Sequence, residues 1–145
     1  MSTTNEYDLL NYIRQNTEMG VEGIDMIIDH VQGEEFKKTL SKQREDYCKY
    51  YSKADSILRK KNGDPEEISV MAKVSTTVMS KMKNMTERED SDYAEDMMKG
   101  TSMGISKLIK HIHHYNGEKN SEALSLGNEL LKTEEANLED IKQFL

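Results

Sequence analysis

Apolar residues in this chain recur three and four apart over long stretches, a spacing that leaves little room for anything but α-helix. From about residue 6 to 31, Leu10, Ile13, Thr17, Gly20, Ile24, Ile27 and Val31 fall on one stripe. Alternating 3–4 steps keep such a stripe facing a neighbouring helix packed at a shallow angle. The pattern resumes over about 34–61 with Phe36, Leu40, Gln43, Tyr47, Tyr50, Ala54 and Ile57. It predicts a third helix over about 66–85, carrying Ile68, Met71, Ser75, Val78, Met82 and Met85. A fourth follows over about 87–115, on Ala94, Met98, Thr101, Ile105, Leu108, Ile112 and Tyr115. The fifth, over about 121–145, carries Leu124, Gly127, Leu131, Glu134, Leu138, Ile141 and Leu145.

The punctuation between these stretches agrees with the period. Gln32-Gly33 ends the first helix, glycine being suited to the left-handed residue that follows one. Asn62-Gly63-Asp64-Pro65 is a turn, with Pro65 near the start of the third helix. Thr86-Glu87-Arg88-Glu89 reads as a capping box, with Thr86 at the N-cap and Glu89 at N3. Asn116-Gly117 closes the fourth helix. The third and fourth helices are either separate or one kinked helix. One proline and eight glycines are too few for a β-rich chain. Connections of a few residues force antiparallel neighbours. The expectation is one all-α domain over 1–145, an antiparallel four-helix bundle. Two helical hairpins, first with second and fourth with fifth, are joined by a shorter crossing helix. Ten Met and seven Tyr supplement a modest supply of branched apolar residues in its core.

Composition narrows the function. A single cysteine excludes an internal disulfide framework. The opening MSTTNEYDLL lacks a basic region followed by an apolar run, and nothing approaches the length of a membrane span, so the cytoplasm is the default expectation. Net charge is −7 and the basic residues are scattered, which disfavours nucleic acid. No phosphate-binding glycine loop, HExxH, GxSxG or CxxC is present, so no catalytic residue is assigned and no cofactor is expected.

The strongest organisational feature is an echo between the first and fourth helices. Gly23-Ile24-Asp25-Met26-Ile27-Ile28-Asp29-His30-Val31 returns as Gly104-Ile105-Ser106-Lys107-Leu108-Ile109-Lys110-His111-Ile112. Two amphipathic helices could converge on the apolar matches; the coincident Gly and His favour duplication of a hairpin. With Gly20-Val21-Glu22-Gly23-Ile24, Gln43-Arg44-Glu45 and Gly100-Thr101-Ser102, the chain resembles the ferritin-like superfamily, and in particular its small bacterial members of unknown function. That resemblance implies a di-iron site, with one Glu on each of two helices and a Glu-x-x-His on each of the other two. The ligands are degenerate here. Val21 follows Gly20 and Thr101 follows Gly100. The nearest Glu-x-x-His approximations are Glu45-Asp46-Tyr47-Cys48 and Glu134-Glu135-Ala136-Asn137. At about 100° per residue, Glu18, Glu22, Asp25, Asp29 and Glu45 fall opposite the apolar stripes, on the solvated face.

Glu134 differs, because it sits on its stripe between Leu131 and Leu138. Thr17, Gly20, Gln43 and Thr101 likewise interrupt their stripes near mid-helix. Aligned hairpins would gather Glu134, Gln43, Thr101 and Thr17 into one polar layer, with Arg44 at the flank as a possible ion-pair partner for Glu134. Such a layer either fixes helix register or is a residual site for one divalent metal; Glu134 could also snorkel to the surface. His111 and His114, three apart, form a second weak metal candidate, against the simpler reading that histidines suit a helix C-terminus. Cys48 among Tyr47, Tyr50 and Tyr51 is a candidate redox thiol, opposed by the neighbouring Glu45 and Asp46. Met71, Met79, Met82, Met85, Met97, Met98 and Met103 either pack loosely or form a partner surface. Two readings follow. The first is a non-catalytic binding or structural module, a dimer or a partner of another helical protein. The alternative is a ferritin-like metal protein with altered ligands, acting in metal handling or oxidation.

Overall fold

The computed structural model describes residues 4–63 and 88–145. Within them are four helices: α1 Glu6–Ile27, α2 Glu34–Lys60, α3 Asp90–His113 and α4 Glu122–Lys142. The chain is all-α, with no strand among the described residues. The predicted helix over 66–85, the positions of Pro65 and Thr86, and its relation to the helix that follows lie outside them.

Side chains close most of the helix ends. Asn5 accepts from the Asp8 N–H at 2.8 Å, and Asp8 accepts in return from the Asn5 N–H at 3.2 Å, which starts α1. This helix stops at Ile27, short of the expected Val31. The cause is Asp90, whose carboxylate takes the N–H groups of Gln32 and Gly33, each at 2.8 Å, and holds the connection to α2 open. Gly33 is therefore the N-cap of α2, with an ordinary φ of −72°, rather than a left-handed residue after α1. The left-handed residue is Asn62, φ 58°, at the far end of α2. There the Gly63 N–H reaches Leu58 O at 2.9 Å and the Asn62 N–H reaches Arg59 O at 3.1 Å, the paired bonds of a Schellman closure.

The cap of α3 also differs from the expectation. Glu89 is the N-cap, not the third helical residue, because its N–H donates to Asp92 at 2.8 Å. Arg88, which pairs with Asp96 and lies over the Tyr93 ring, pins this end. The helix stops at His113 because Thr4 takes the next backbone groups, from its N–H to His114 O at 2.9 Å and from the Asn116 N–H to its own carbonyl at 3.1 Å. Ser121 caps α4 by accepting from the Leu124 N–H at 3.1 Å.

Helix α1 packs most extensively on α2, and α3 on α4; contacts of α1 with α3 and α4, and of α2 with α4, complete a packing compatible with a bundle. The apolar interior is in two parts. Leu9, Leu10, Ile13, Tyr50, Ala54, Leu58, Leu108, Leu126 and Leu130 belong to one cluster. Ile24, Ile27, Val31, Phe36, Leu40, Tyr93, Met97 and Ile141 belong to the other. Each fully buried Leu or Ile contributes about 1.5–3 kcal/mol. On α4 the buried face is rotated from the expected stripe: Ala123, Leu126, Leu130 and Asn137 are buried, whereas Leu124, Leu131 and Leu138 are half-buried and Leu145 is exposed. No described helix is long and apolar enough to cross a membrane.

Candidate functional site

Polar or small residues interrupt the apolar interior on every helix, between the two clusters on α1, α3 and α4 and, on α2, between Leu40 and Tyr47 of the second cluster. Asn16, Thr17 and Gly20 stand there on α1, Gln43 on α2, Thr101 and Gly104 on α3, and Glu134 and Asn137 on α4. Glu134 and Gln43 are 1 % exposed and Asn137 is 2 % exposed. The two glycines let neighbours approach closely. A Cβ at Gly20 would lie 2.7 Å from the Tyr47 ring, and one at Gly104 would lie 3.2 Å from Asn16 and 3.3 Å from Glu134.

The hydrogen bonds run between helices. The Tyr12 hydroxyl donates to Gly104 O at 3.2 Å, and Asn16 Nδ2 donates to the same carbonyl at 3.4 Å. Asn16 also hydrogen-bonds the Glu134 carboxyl. Gln43 Nε2 donates to Asn137 O at 3.2 Å. The Tyr47 hydroxyl lies against the side chains of Thr101 and Asn137. Thr17 stays within its own helix, donating to Ile13 O at 2.8 Å and Arg14 O at 3.1 Å. Thus Glu134 meets Asn16, which the periodicity of the sequence did not single out; Thr17, which it did, turns back on α1.

Burial dominates the electrostatics. It raises the Glu134 carboxyl from 4.5 to about 8, against a smaller opposing effect of the Asn16 hydrogen bond. At neutral pH Glu134 is chiefly a neutral acid, able to donate as well as accept. Burial likewise pushes Tyr12 up to about 12, and Tyr47 further still, with the nearby Glu134 charge adding to both.

The remaining candidates do not join this layer. Arg44 pairs bidentately with Asp25 at 2.7 and 3.1 Å on the surface, so it is not the partner of Glu134. His111 stacks on Tyr12, ring centroids 4.0 Å apart, with Nδ1 2.9 Å from Lys107 O. His114 caps the end of α3, exposed. Cys48 is exposed, with Arg44 Nη1 3.9 Å from its sulfur, beside a shallow groove that Glu18, Val21, Tyr51 and Ser52 also line. Of the methionines, Met97 is buried, Met98 half-buried and Met103 exposed; Met71, Met79, Met82 and Met85 lie outside the described residues. No group of three or more His, Cys, Asp or Glu placed to hold a metal occurs among the described residues.

The two copies of the internal repeat sit in different surroundings. Gly23 and Gly104 are not equivalent: a Cβ at Gly23 would meet nothing within 4 Å, whereas Gly104 faces Glu134. His30 lies beyond the end of α1, and His111 lies inside α3. The residues at matching stations are Thr17-Glu18-Met19-Gly20-Val21 and Thr101-Ser102-Met103-Gly104-Ile105, a shared T-x-M-G-[VI]. Each puts its Thr and its Gly in the polar layer.

The donor set of this layer does not fit a pair of iron ions. Two irons require several carboxylates and imidazoles converging from four helices. Among the described residues the layer holds one carboxyl, met by an amide, with further amides and hydroxyls around it. No protein-family model, curated protein or solved structure matches this chain.

Proposed function

We propose that this chain is a non-catalytic binding or structural module: an antiparallel, ferritin-like bundle whose polar middle fixes helix register instead of holding iron. The observation that carries the reading is Glu134, a single carboxyl buried at mid-bundle and met by the Asn16 amide. A buried polar contact of this kind penalises misaligned packings, in which it would be left unpaired. The ferritin-like arrangement is supported by the order in which the helices visit the two clusters. Helices α1 and α4 run from the cluster of Leu9 to that of Ile24; α2 and α3 run the other way. The T-x-M-G-[VI] pair at matching stations supports duplication of a hairpin.

The test is metal content with a stability control. After aerobic reconstitution with ferrous iron, tag-free protein is expected to retain far less than stoichiometric iron, with Glu134→Gln no different. Near two irons per chain, lost in Glu134→Gln, would overturn the reading in favour of metal handling or oxidation. Self-association, with a second copy of the chain as the first partner to test, belongs to the same proposal. Sedimentation over a range of concentrations decides it, a monomer throughout being the contrary result.

A further inference from the structure

Three buried side-chain atoms in the polar layer have no hydrogen-bond partner among the described residues: Gln43 Oε1, Glu134 Oε1 and Asn137 Nδ2. Gln43 and Asn137 are joined through the Gln43 Nε2 bond to Asn137 O, and Glu134 and Asn137 are one turn apart on the buried face of α4. A buried polar group without a partner costs about 1–3 kcal/mol, so three in one layer point to a guest that satisfies them together.

We propose that Gln43, Glu134 and Asn137 form an internal site for one small neutral guest that both donates and accepts hydrogen bonds, a single water molecule being the minimal occupant. The chemistry of the three atoms selects this class. The orientation of the Gln43 amide is fixed, since turning it would set its oxygen against the carbonyl of Asn137; Gln43 Oε1 therefore demands a donor. Asn137 Nδ2 is itself a donor, close to the Tyr47 hydroxyl without completing a well-formed hydrogen bond to it, and demands an acceptor. Glu134 Oε1 serves either way, accepting throughout and donating when it carries the proton. Water supplies two donors and two acceptors. An anion would face Gln43 Oε1 and a metal cation would face the Asn137 amide hydrogens, so neither matches the full set. Gly104 contributes by bringing α3 close to Asn16 and Glu134, which shuts the layer from solvent on that side.

The site shares Glu134 with the proposed function, and Gln43 and Asn137 make its failure separately readable. A crystal structure of the untagged protein, grown with manganese chloride as the probe cation, is expected to show one light-atom peak within about 2.7–3.2 Å of all three atoms. That peak should lack manganese anomalous signal. In solution, the Asn137 side-chain amide protons should receive magnetisation from a long-lived water, and Gln43→Leu should abolish the transfer. Direct pairing of the three side chains with no peak between them overturns this inference alone. A manganese peak ligated by Glu134, with Asn137 turned to present its oxygen, overturns both this inference and the non-metal reading.

Discussion

Replacing Glu134 by Gln tests the electrostatics of the bundle most directly, because it keeps the shape and removes the ionisable proton. The folded value near 8 stands above the ordinary 4.5. Between those two pH values the folded chain retains a proton that the unfolded chain has released. Stability therefore falls as pH rises across that window; the contribution of the protonated acid is complete below 4.5 and lost by about 8. At about 1.4 kcal/mol per unit, the loss is about 3 kcal/mol at pH 7 and about 5 kcal/mol above pH 8. Glutamine escapes it, being neutral throughout and able to bond Asn16. Urea denaturation of both proteins at half-unit steps from pH 4.5 to 9 gives the difference in unfolding free energy, in which all other titrating groups cancel. The variant should match the wild type near pH 4.5 and gain on it by several kcal/mol by pH 8.5. A difference that stays flat with pH would refute the reasoning, whatever its sign, since Glu134 would then be ionised or solvated like an ordinary surface carboxylate.

The glycines of the layer make a second set of expectations. Gly20→Ala should destabilise by about 1–3 kcal/mol in urea denaturation, because the new methyl meets the buried Tyr47 ring at 2.7 Å and the ring has nowhere to turn. Gly23→Ala, whose methyl meets nothing within 4 Å, should instead stabilise by about 0.5–1 kcal/mol through helix propensity. Equal effects at the two positions would refute the register given to the repeat. Asp90→Ala should cost about 1–3 kcal/mol and speed hydrogen exchange specifically at the Gln32 and Gly33 amides, the two groups its carboxylate holds; unchanged exchange there would remove Asp90 from the account of why α1 ends early.

The helical period made the elements legible and left their ends and exact facing obscure. Phe36, Leu40, Gln43, Tyr47, Tyr50 and Ala54 are buried as their spacing requires, because α2 presents one narrow stripe. On α4, Leu124 and Leu131 are apolar enough to define a stripe, yet Ala123, Leu126, Leu130 and Asn137 also face inward. That helix touches α1, α2 and α3, and packing against them turns its buried face away from the stripe that Leu124 and Leu131 define. In sequence Asn137 therefore reads as the remnant of a ligand motif, and Asn16, off the stripe beside Thr17, carries no signal. The end of α1 was beyond any local reading, because Asp90, 57 and 58 residues away in sequence, sets it. Sequence alone leaves the register of the repeat open for a related reason. Apolar matches slide along a helix by a turn at little cost, and only contacts fix which Gly faces which neighbour.

Glu134→Leu separates the two roles a buried polar layer can play. Leucine removes the burial cost of the carboxyl and adds apolar contact with both clusters, so on energy alone the variant should be more stable than the wild type at pH 7 by about 2–4 kcal/mol. If the layer also fixes register, that gain comes with lost uniqueness. Gln43 and Asn137 would no longer share a polar neighbour, and only Asn137 would interrupt the apolar seam from Leu130 to Ile141, easing a one-turn slip of α4. Peak doubling in amide NMR spectra, or a concentration-dependent change of mass by light scattering, would accompany the higher denaturation midpoint. A more stable variant with a single set of sharp resonances and unchanged mass would show that register is set elsewhere, by the Gly20–Tyr47 contact or the apolar clusters themselves. The polar middle would then be a stability cost with no role in choosing the fold.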